Sequence, residues 1–237
     1  MGNCIEKIKH DKCGSNNLQV FQDEDGGYNG FCFGCGSAVP DPYKDKPAGY
    51  KPVVIRKTPE QIAEEIADIG ECKALTLPER KLRDKALDYY GIKIGVSEKD
   101  GKTPTVAYFP YTRDAGIVKY KCVLLANKKM WSVGDSADID LFGWEQATKS
   151  GSRRLYITEG EWDAVALRTI IQKHTKNEEY KDQIAVCSLP NGAGQAKAII
   201  SRLLPKIKRQ FEQVVLVFDT DKAGRKAVDD VMAIAPT

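Results

Sequence analysis

Two apolar runs in this chain break off against acid. Leu155, Tyr156 and Ile157 lead into Thr158-Glu159-Gly160-Glu161-Trp162-Asp163, and Val214 to Phe218 lead into Asp219-Thr220-Asp221-Lys222-Ala223-Gly224. Each predicts a short strand turning into a helix. Ala164, Val165, Leu167, Ile170 and Ile171 mark the helix stripe after the first, and 222–235 read as a helix after the second. Val214 to Phe218 is the strongest buried-strand signal in the chain. Between the two, Ile184 to Ser188 predicts a strand and Pro190-Asn191-Gly192-Ala193-Gly194 a tight loop whose amides can approach phosphate. Ala196 to Leu204 predicts a helix ending at Pro205, with Lys206, Lys208 and Arg209 near the following turn. Strands alternating with helices imply a parallel sheet, which collects ligands at the carboxyl ends of its strands.

The first half is patterned differently. Thr58, Pro59 and Gln61 predict a capped helix start, and Ile62, Ile66 and Ile69 supply its apolar face. A second helix is predicted from Pro78 to Tyr90, stopping at Gly91. Its Arg80, Lys81, Arg83 and Lys85 make either a solvated face or a phosphate-contacting one. Thr105 to Phe109 and Ile117 to Leu124 alternate around Asp114-Ala115-Gly116 as a hairpin. Lys119 and Lys121 share one face of its second strand, and Lys128, Lys129, Met130 and Trp131 follow. Beside a metal crevice those lysines can neutralise triphosphate or template phosphates, and Trp131 can offer a stacking surface; alone, the segment reads as a soluble hairpin. From Ser37 to Pro59 five prolines among lysines and aspartates predict an extended tether that lets the N-terminal region move, with Val53 to Ile55 docking on a neighbour.

The carboxylates carry the chemistry. Alternate residues of an extended segment point the same way, so Asp219 and Asp221 can offer oxygens to one place. A helix after Gly160 brings Asp163 round to face the same crevice as Glu159. Hard oxygen donors without histidine suit Mg²⁺ or Mn²⁺ and phosphoryl chemistry. Either stretch alone reads equally well as a helix cap; the repetition favours a metal site.

The 237 residues allow more than one domain, and no run is long and apolar enough to span a membrane. The start lacks the apolar stretch of a secretory signal. A net charge of +3 is too small to imply nucleic acid by itself. Seven cysteines, four of them before residue 36, fit a metal site in a reducing compartment better than disulfides. His10, Cys13, Cys32 and Cys35 form H-x2-C and C-x2-C knuckles, the spacing of one structural Zn²⁺ in a ribbon of strands at Leu18 to Phe21 and Tyr28 to Phe33. Cys4 is the alternative fourth ligand, but its spacing to Cys13 makes a poor knuckle.

Strand, TEGE-x-x-D, helix, strand, Pro-Asn-Gly, helix, strand, DTDKAG resembles a TOPRIM domain. With a zinc ribbon in front, Arg80, Tyr90-Gly91, the basic hairpin and Leu141-Phe142-Gly143, the whole chain is similar to the primase end of the bifunctional primase-helicases of short-tailed phages. The resemblance implies an α/β fold: a β zinc ribbon tethered to a TOPRIM-containing primase core with a mainly parallel sheet. The expected parts are a template-binding ribbon (1–38), a linker (39–58), an N-terminal polymerase subdomain (59–150) and a TOPRIM subdomain (151–237). The implied activity is DNA primase, a DNA-directed RNA polymerase making short RNA primers on single-stranded DNA from ribonucleoside triphosphates. Glu159, Asp163, Asp219 and Asp221 would then handle metal, and Lys121 and Lys129 would contact nucleotide, with Arg80, Lys119, Lys128 and Trp131 nearby in the binding surface. Expected partners are a replicative helicase, fused or separate, and a DNA polymerase, in the cytoplasm, that of the host if phage-encoded. A TOPRIM fold would continue into another strand carrying a further acid, and this sequence has neither that strand nor a Walker A loop, so the chain is expected to be either a fragment of a longer polypeptide or a naturally short form. Two other readings are a non-catalytic zinc/TOPRIM module of a helicase and a TOPRIM nuclease.

Overall fold

The structure is a computed structural model and describes residues 4–22, 27–44 and 57–234. Most of the predicted tether, including Val53 to Ile55, lies outside the described residues, as do residues 1–3, 23–26 and 235–237, so the last position of the helix predicted over 222–235 does too. The chain divides into two compact units. The first comprises 1–73, 93–108 and 119–134; the second comprises 74–92, 109–118 and 135–237.

In the first unit, strands β1 (Cys4–Ile8), β2 (Leu18–Gln22), β3 (Tyr28–Cys32) and β4 (Ser37–Val39) form an antiparallel sheet in chain order. Helix α1 (Pro59–Glu71) starts as its sequence predicts. Thr58 accepts from the Gln61 amide, and Gln61 accepts in return from the Thr58 amide. Strands β5 (Lys93–Val96), β6 (Pro104–Arg113), β7 (Gly116–Leu124) and β8 (Met130–Gly134) make a second antiparallel sheet in the same order, of which the hairpin end, residues 109–118, is counted with the second unit. Asp114 and Ala115, with φ of 51° and 64°, close the β6–β7 hairpin, the left-handed pair that a tight two-residue turn requires.

The ribbon is not an isolated patch of sheet. Its Phe21 and Phe31 share one buried cluster with Ile69 of α1 and with Val106, Tyr120, Cys122 and Trp131, and Phe33 packs against it. Trp131 lies at the middle, 5.3 Å from Phe33 and 6.3 Å from Phe21 between ring centroids. The sequence offered Trp131 as a surface for bases; at 6% exposed it is a core side chain instead. A sheet this small buries little on its own, Ile5, Val20 and Tyr43 on one side, and its Phe21 and Phe31 borrow cover.

The second unit holds a parallel sheet, β10 (Ala185–Ser188), β9 (Arg154–Thr158), β11 (Gln213–Val217), in that order. Its helices include α2 (Asp84–Tyr89), α3 (Trp144–Lys149), α4 (Glu161–His174), α5 (Ala196–Gln210) and α6 (Lys222–Met232). Three expectations change here. The predicted helix from Pro78 to Tyr90 is broken: a 3-10 turn at Pro78–Arg80 ends at Lys81 in the left-handed region (φ 55°), Leu77 bridges Leu82, and α2 begins only at Asp84. Helix α5 does not stop at Pro205 but runs through it. Proline inside a helix costs about 3 kcal/mol, and the stripe Ile199, Ile200, Leu203 and Ile207, all buried, supplies a comparable gain by keeping Ile207 inside. Finally, β11 is not buried. It is the edge of the sheet, paired to β9 alone among the described strands, and Val214 and Val217 stay open to solvent.

Tyr90 and the Leu141-Phe142-Gly143 segment prove to be one structural device. The Tyr90 hydroxyl donates to the carbonyl of Val186 in β10 (3.1 Å), and its ring stacks on Phe142 at 5.1 Å. Phe142 in turn exchanges backbone hydrogen bonds with Ser188. Gly143 has φ 77°, and a Cβ there would lie 2.6 Å from the Tyr90 ring, so only glycine fits.

Replacing Trp131 by alanine empties the centre of the first unit's core and is expected to cost about 3–5 kcal/mol. Chemical denaturation followed by circular dichroism checks it; a loss below about 1 kcal/mol would show that the ribbon does not depend on this cluster.

Candidate metal centres

The knuckles of the first unit converge. His10 Nδ1 lies 3.1 Å from Cys13 Sγ and 3.3 Å from Cys35 Sγ, and Cys13 Sγ lies 3.6 Å from Cys32 Sγ. All four ligand atoms fall within 4.8 Å of one another. A tetrahedral ion with bonds of about 2.0–2.3 Å sets its ligands about 3.3–3.8 Å apart, so these spacings fit the edges of a metal tetrahedron. The turns are built for it: the Gly14 amide donates to His10 O and the Gly36 amide to Cys32 O, both 2.7 Å, with both glycines at positive φ. Ser37 Oγ, 3.2 Å from Cys35 Sγ, draws that thiol down to about 6, towards the thiolate that binds metal. Cys4 is not in the group. It sits in β1 against the aromatic cluster, and it is His10 that stands with Cys13, Cys32 and Cys35.

The second centre forms at the sheet edge of the other unit. β9 and β11 are parallel neighbours, with Thr158 opposite Val217. Glu159 is the first residue beyond β9, and Asp219 the second beyond β11. Gly160 caps α4, and Asp163 stands in its first turn. Burial holds the Asp163 carboxyl above the usual carboxylate range, and the charge of Asp219 raises it further. The two acidic motifs therefore sense each other. Glu159 Oε1 receives the Ala193 amide at 3.4 Å, while its Oε2 is buried with no hydrogen-bond partner among the described residues. A buried carboxylate oxygen left so is costly unless something cationic completes it. Hard, unpartnered oxygen beside further carboxylates fits Mg²⁺ or Mn²⁺.

Not every acid is equally free. Asp221 caps α6, its Oδ1 accepting the Gly224 amide at 2.7 Å, so the helix-cap reading holds for one of its oxygens. Glu161 is buried and accepts from Tyr111. Among the described residues the carboxylates do not close to within 4.8 Å as a group, as the knuckle ligands do. Sequence reasoning missed Gly224. A Cβ there would lie 2.0 Å from the Asp219 carbonyl, so the loop carrying Asp219 folds flat against the first turn of α6. Its signal was available, a glycine at the third residue after the capping aspartate.

Arg80 lies over the Trp162 ring at 4.4 Å, and Trp162 meets Phe109 edge-on at 4.7 Å, so one candidate binding cation is tied beside the TEGEWD motif. The lysines belong to the first unit. Lys119 and Lys121 are buried, Lys128 is exposed in the β7–β8 turn, and Lys129 Nζ donates to Asn29 Oδ1 of the ribbon at 2.7 Å.

Comparison with known proteins agrees with this geometry. A family model described as Toprim-like matches residues 156–237, the segment that holds β9 to α6. Over 88 residues the chain is 36% identical to the DNA helicase/primase of Enterobacteria phage T3, a match spanning 37% of this chain and 14% of that relative. Among solved structures, the primase fragment of the bacteriophage T7 primase-helicase protein superposes with a TM-score of 0.57 at 27% identity, covering 98% of this chain and 87% of that one. A second superposes with a TM-score of 0.55 at 27% identity, covering 70% and 76%: the T7 lagging-strand DNA polymerase interacting with primase domains of two gp4 subunits bound to an RNA/DNA hybrid and dTTP. Residues 156–237 of the second unit thus resemble a Toprim-like domain. Taken whole, the chain resembles the TOPRIM primases of phage primase-helicases.

Two outcomes test these centres. Chelating metal should release the knuckles and expose Trp131, moving its indole ¹H–¹⁵N resonance to the random-coil position; an unmoved resonance would mean the ribbon stands without metal. In metal-free protein, Asp219→Asn removes a negative charge that opposes ionisation of Asp163, so Asp163 should titrate at lower pH than in the parent. Carboxyl ¹³C shifts read this directly, and an unchanged titration would separate the two motifs.

Proposed function

We propose that this chain is a template-directed RNA primase, condensing ribonucleoside triphosphates into short primers on single-stranded DNA. The observation that carries the reading is the pairing of β9 with β11, which sends two acidic loops off one edge of a parallel sheet, in a chain that resembles the T7 primase fragment over nearly its full length. Glu159, Asp163, Asp219 and Asp221 would hold Mg²⁺ or Mn²⁺. Such a cation, when bound, neutralises triphosphate charge and lowers the pKa of an attacking 3′-hydroxyl.

The chain's own groups do the rest. Glu159 is anchored through Oε1 by the Ala193 amide, which leaves Oε2 for a cation. Asp221 spends one oxygen on α6 and so fixes the loop that presents Asp219. Lys121 and Lys129 contact nucleotide phosphates, with Lys129 exchanging Asn29 for phosphate; Arg80, Lys119 and Lys128 add positive charge along the nucleic acid. The ribbon, closed by one structural Zn²⁺, reads template bases. Trp131 serves it from beneath, as the ring on which Phe33 rests. A replicative helicase, fused or separate, and a DNA polymerase are the expected partners, in the cytoplasm where the template is. Among the described residues no helix is long and apolar enough to cross a membrane.

The test is to incubate the chain with labelled ribonucleotides, Mg²⁺ and single-stranded DNA. Oligoribonucleotides are expected from the parent and at least about a hundredfold fewer from Asp219→Asn with Asp221→Asn, with DNA binding retained. Asparagine preserves the α6 cap, so the loss reads metal handling rather than folding. Cut DNA would indicate a nuclease, and neither product a binding module.

A further inference from the structure

Glu161 stands in the centre of the TEGEWD motif, two residues from Glu159 on one side and from Asp163 on the other. It is the first residue of α4, a place where glutamate is ordinarily a solvated partner of the helix dipole. Here it is 5% exposed. Burying a carboxylate is costly unless donors receive it, and one donor here is unusual: the hydroxyl of Tyr111, itself fully buried in β6, at 2.5 Å from Oε1. Gly160, the residue that caps α4, contributes no side chain to the helix start. Thr158 Oγ1 ties the neighbouring backbone, lying 3.0 Å from Gly160 O and 3.2 Å from Cys187 O. The side-chain bond from Tyr111 thus enters the first turn of α4 between the two carboxylates that flank it.

From this juxtaposition we propose that Tyr111 is a positioning residue for the divalent-cation centre: its hydroxyl fixes the Glu161 carboxylate, and through it the first turn of α4, so that Glu159 and Asp163 are presented to one cation. The inference rests on the primase reading for its consequence in catalysis but not for its consequence in metal binding. Tyr111 touches no reacting atom. Its ring is held independently, 6.0 Å from Phe142, so removing the hydroxyl alone keeps the apolar packing in place.

The test uses Tyr111→Phe and Glu161→Gln in the full chain, with Mn²⁺ binding followed by electron paramagnetic resonance. Tyr111→Phe should weaken Mn²⁺ binding about tenfold while the melting temperature falls by only a few degrees. Primer synthesis should need about tenfold more Mg²⁺ for half-saturation, yet approach the parent rate at saturating Mg²⁺. Glu161→Gln, which keeps a hydrogen-bond acceptor for Tyr111, should bind Mn²⁺ more tightly than Glu161→Ala. A Tyr111→Phe variant that melts lower but binds Mn²⁺ as the parent does would overturn the inference, leaving the bond merely structural. So would equal Mn²⁺ affinity in Glu161→Gln and Glu161→Ala. A parent chain that binds Mn²⁺ but makes no primer would count against the primase reading alone, because the Mn²⁺ comparison stands without it.

Discussion

The register between β9 and β11 is the constraint on which the second unit depends. Parallel pairing with Thr158 opposite Val217 sets the ends of the two strands level, and each chain then turns directly into acid. Bringing carboxylates together is unfavourable in itself, and the Asp163 carboxyl is held above the usual range first by burial and then by the charge of Asp219. Such an edge persists because the surrounding structure holds it. Gly224 lets the Asp219 loop lie against α6, Asp221 caps that helix, and Glu161 is bound to Tyr111. The unpartnered oxygen of Glu159 is what remains when the scaffold has satisfied its own needs. That pattern, like charges gathered by a rigid frame with acceptor capacity to spare, suits a cation arriving with its ligand.

The first unit solves a different problem. Its N-terminal sheet builds only a small cluster of its own, Ile5, Val20 and Tyr43, and two features supplement it. One is the cluster of His10, Cys13, Cys32 and Cys35, whose spacing fits a single tetrahedral ion. The other is an aromatic layer in which Phe21 and Phe33 rest on Trp131, a residue from a strand far along the chain. The bond from Lys129 to Asn29 adds a polar contact between the same two regions.

Much of this was legible in the sequence. Knuckle spacing, the capping box at Thr58 and Gln61, the Asp114-Ala115 turn and the two strand-to-acid transitions all rest on local rules, and local rules survive folding. What could not be read depended on partners distant in sequence. Val214 to Phe218 looked like a central strand because it is uniformly apolar, yet apolarity does not reveal whether a strand has one neighbour or two. Pro205 looked like a helix end because the burial that carries α5 through it comes from the sheet. Trp131 looked like a surface for bases because the aromatic residues that cover it lie in the ribbon. The roles of Glu161 and Gly224 were hidden for the same reason, since neither can be assigned until Tyr111 and the Asp219 carbonyl are beside them.

The central claim is that the loops after β9 and β11 meet at one divalent cation. Anomalous diffraction from crystals of the chain soaked in Mn²⁺ tests it most directly. The account predicts a manganese peak bounded by oxygens of Glu159 on one side and of Asp219 on the other. Peaks elsewhere on the surface, with none between those two residues, would contradict it.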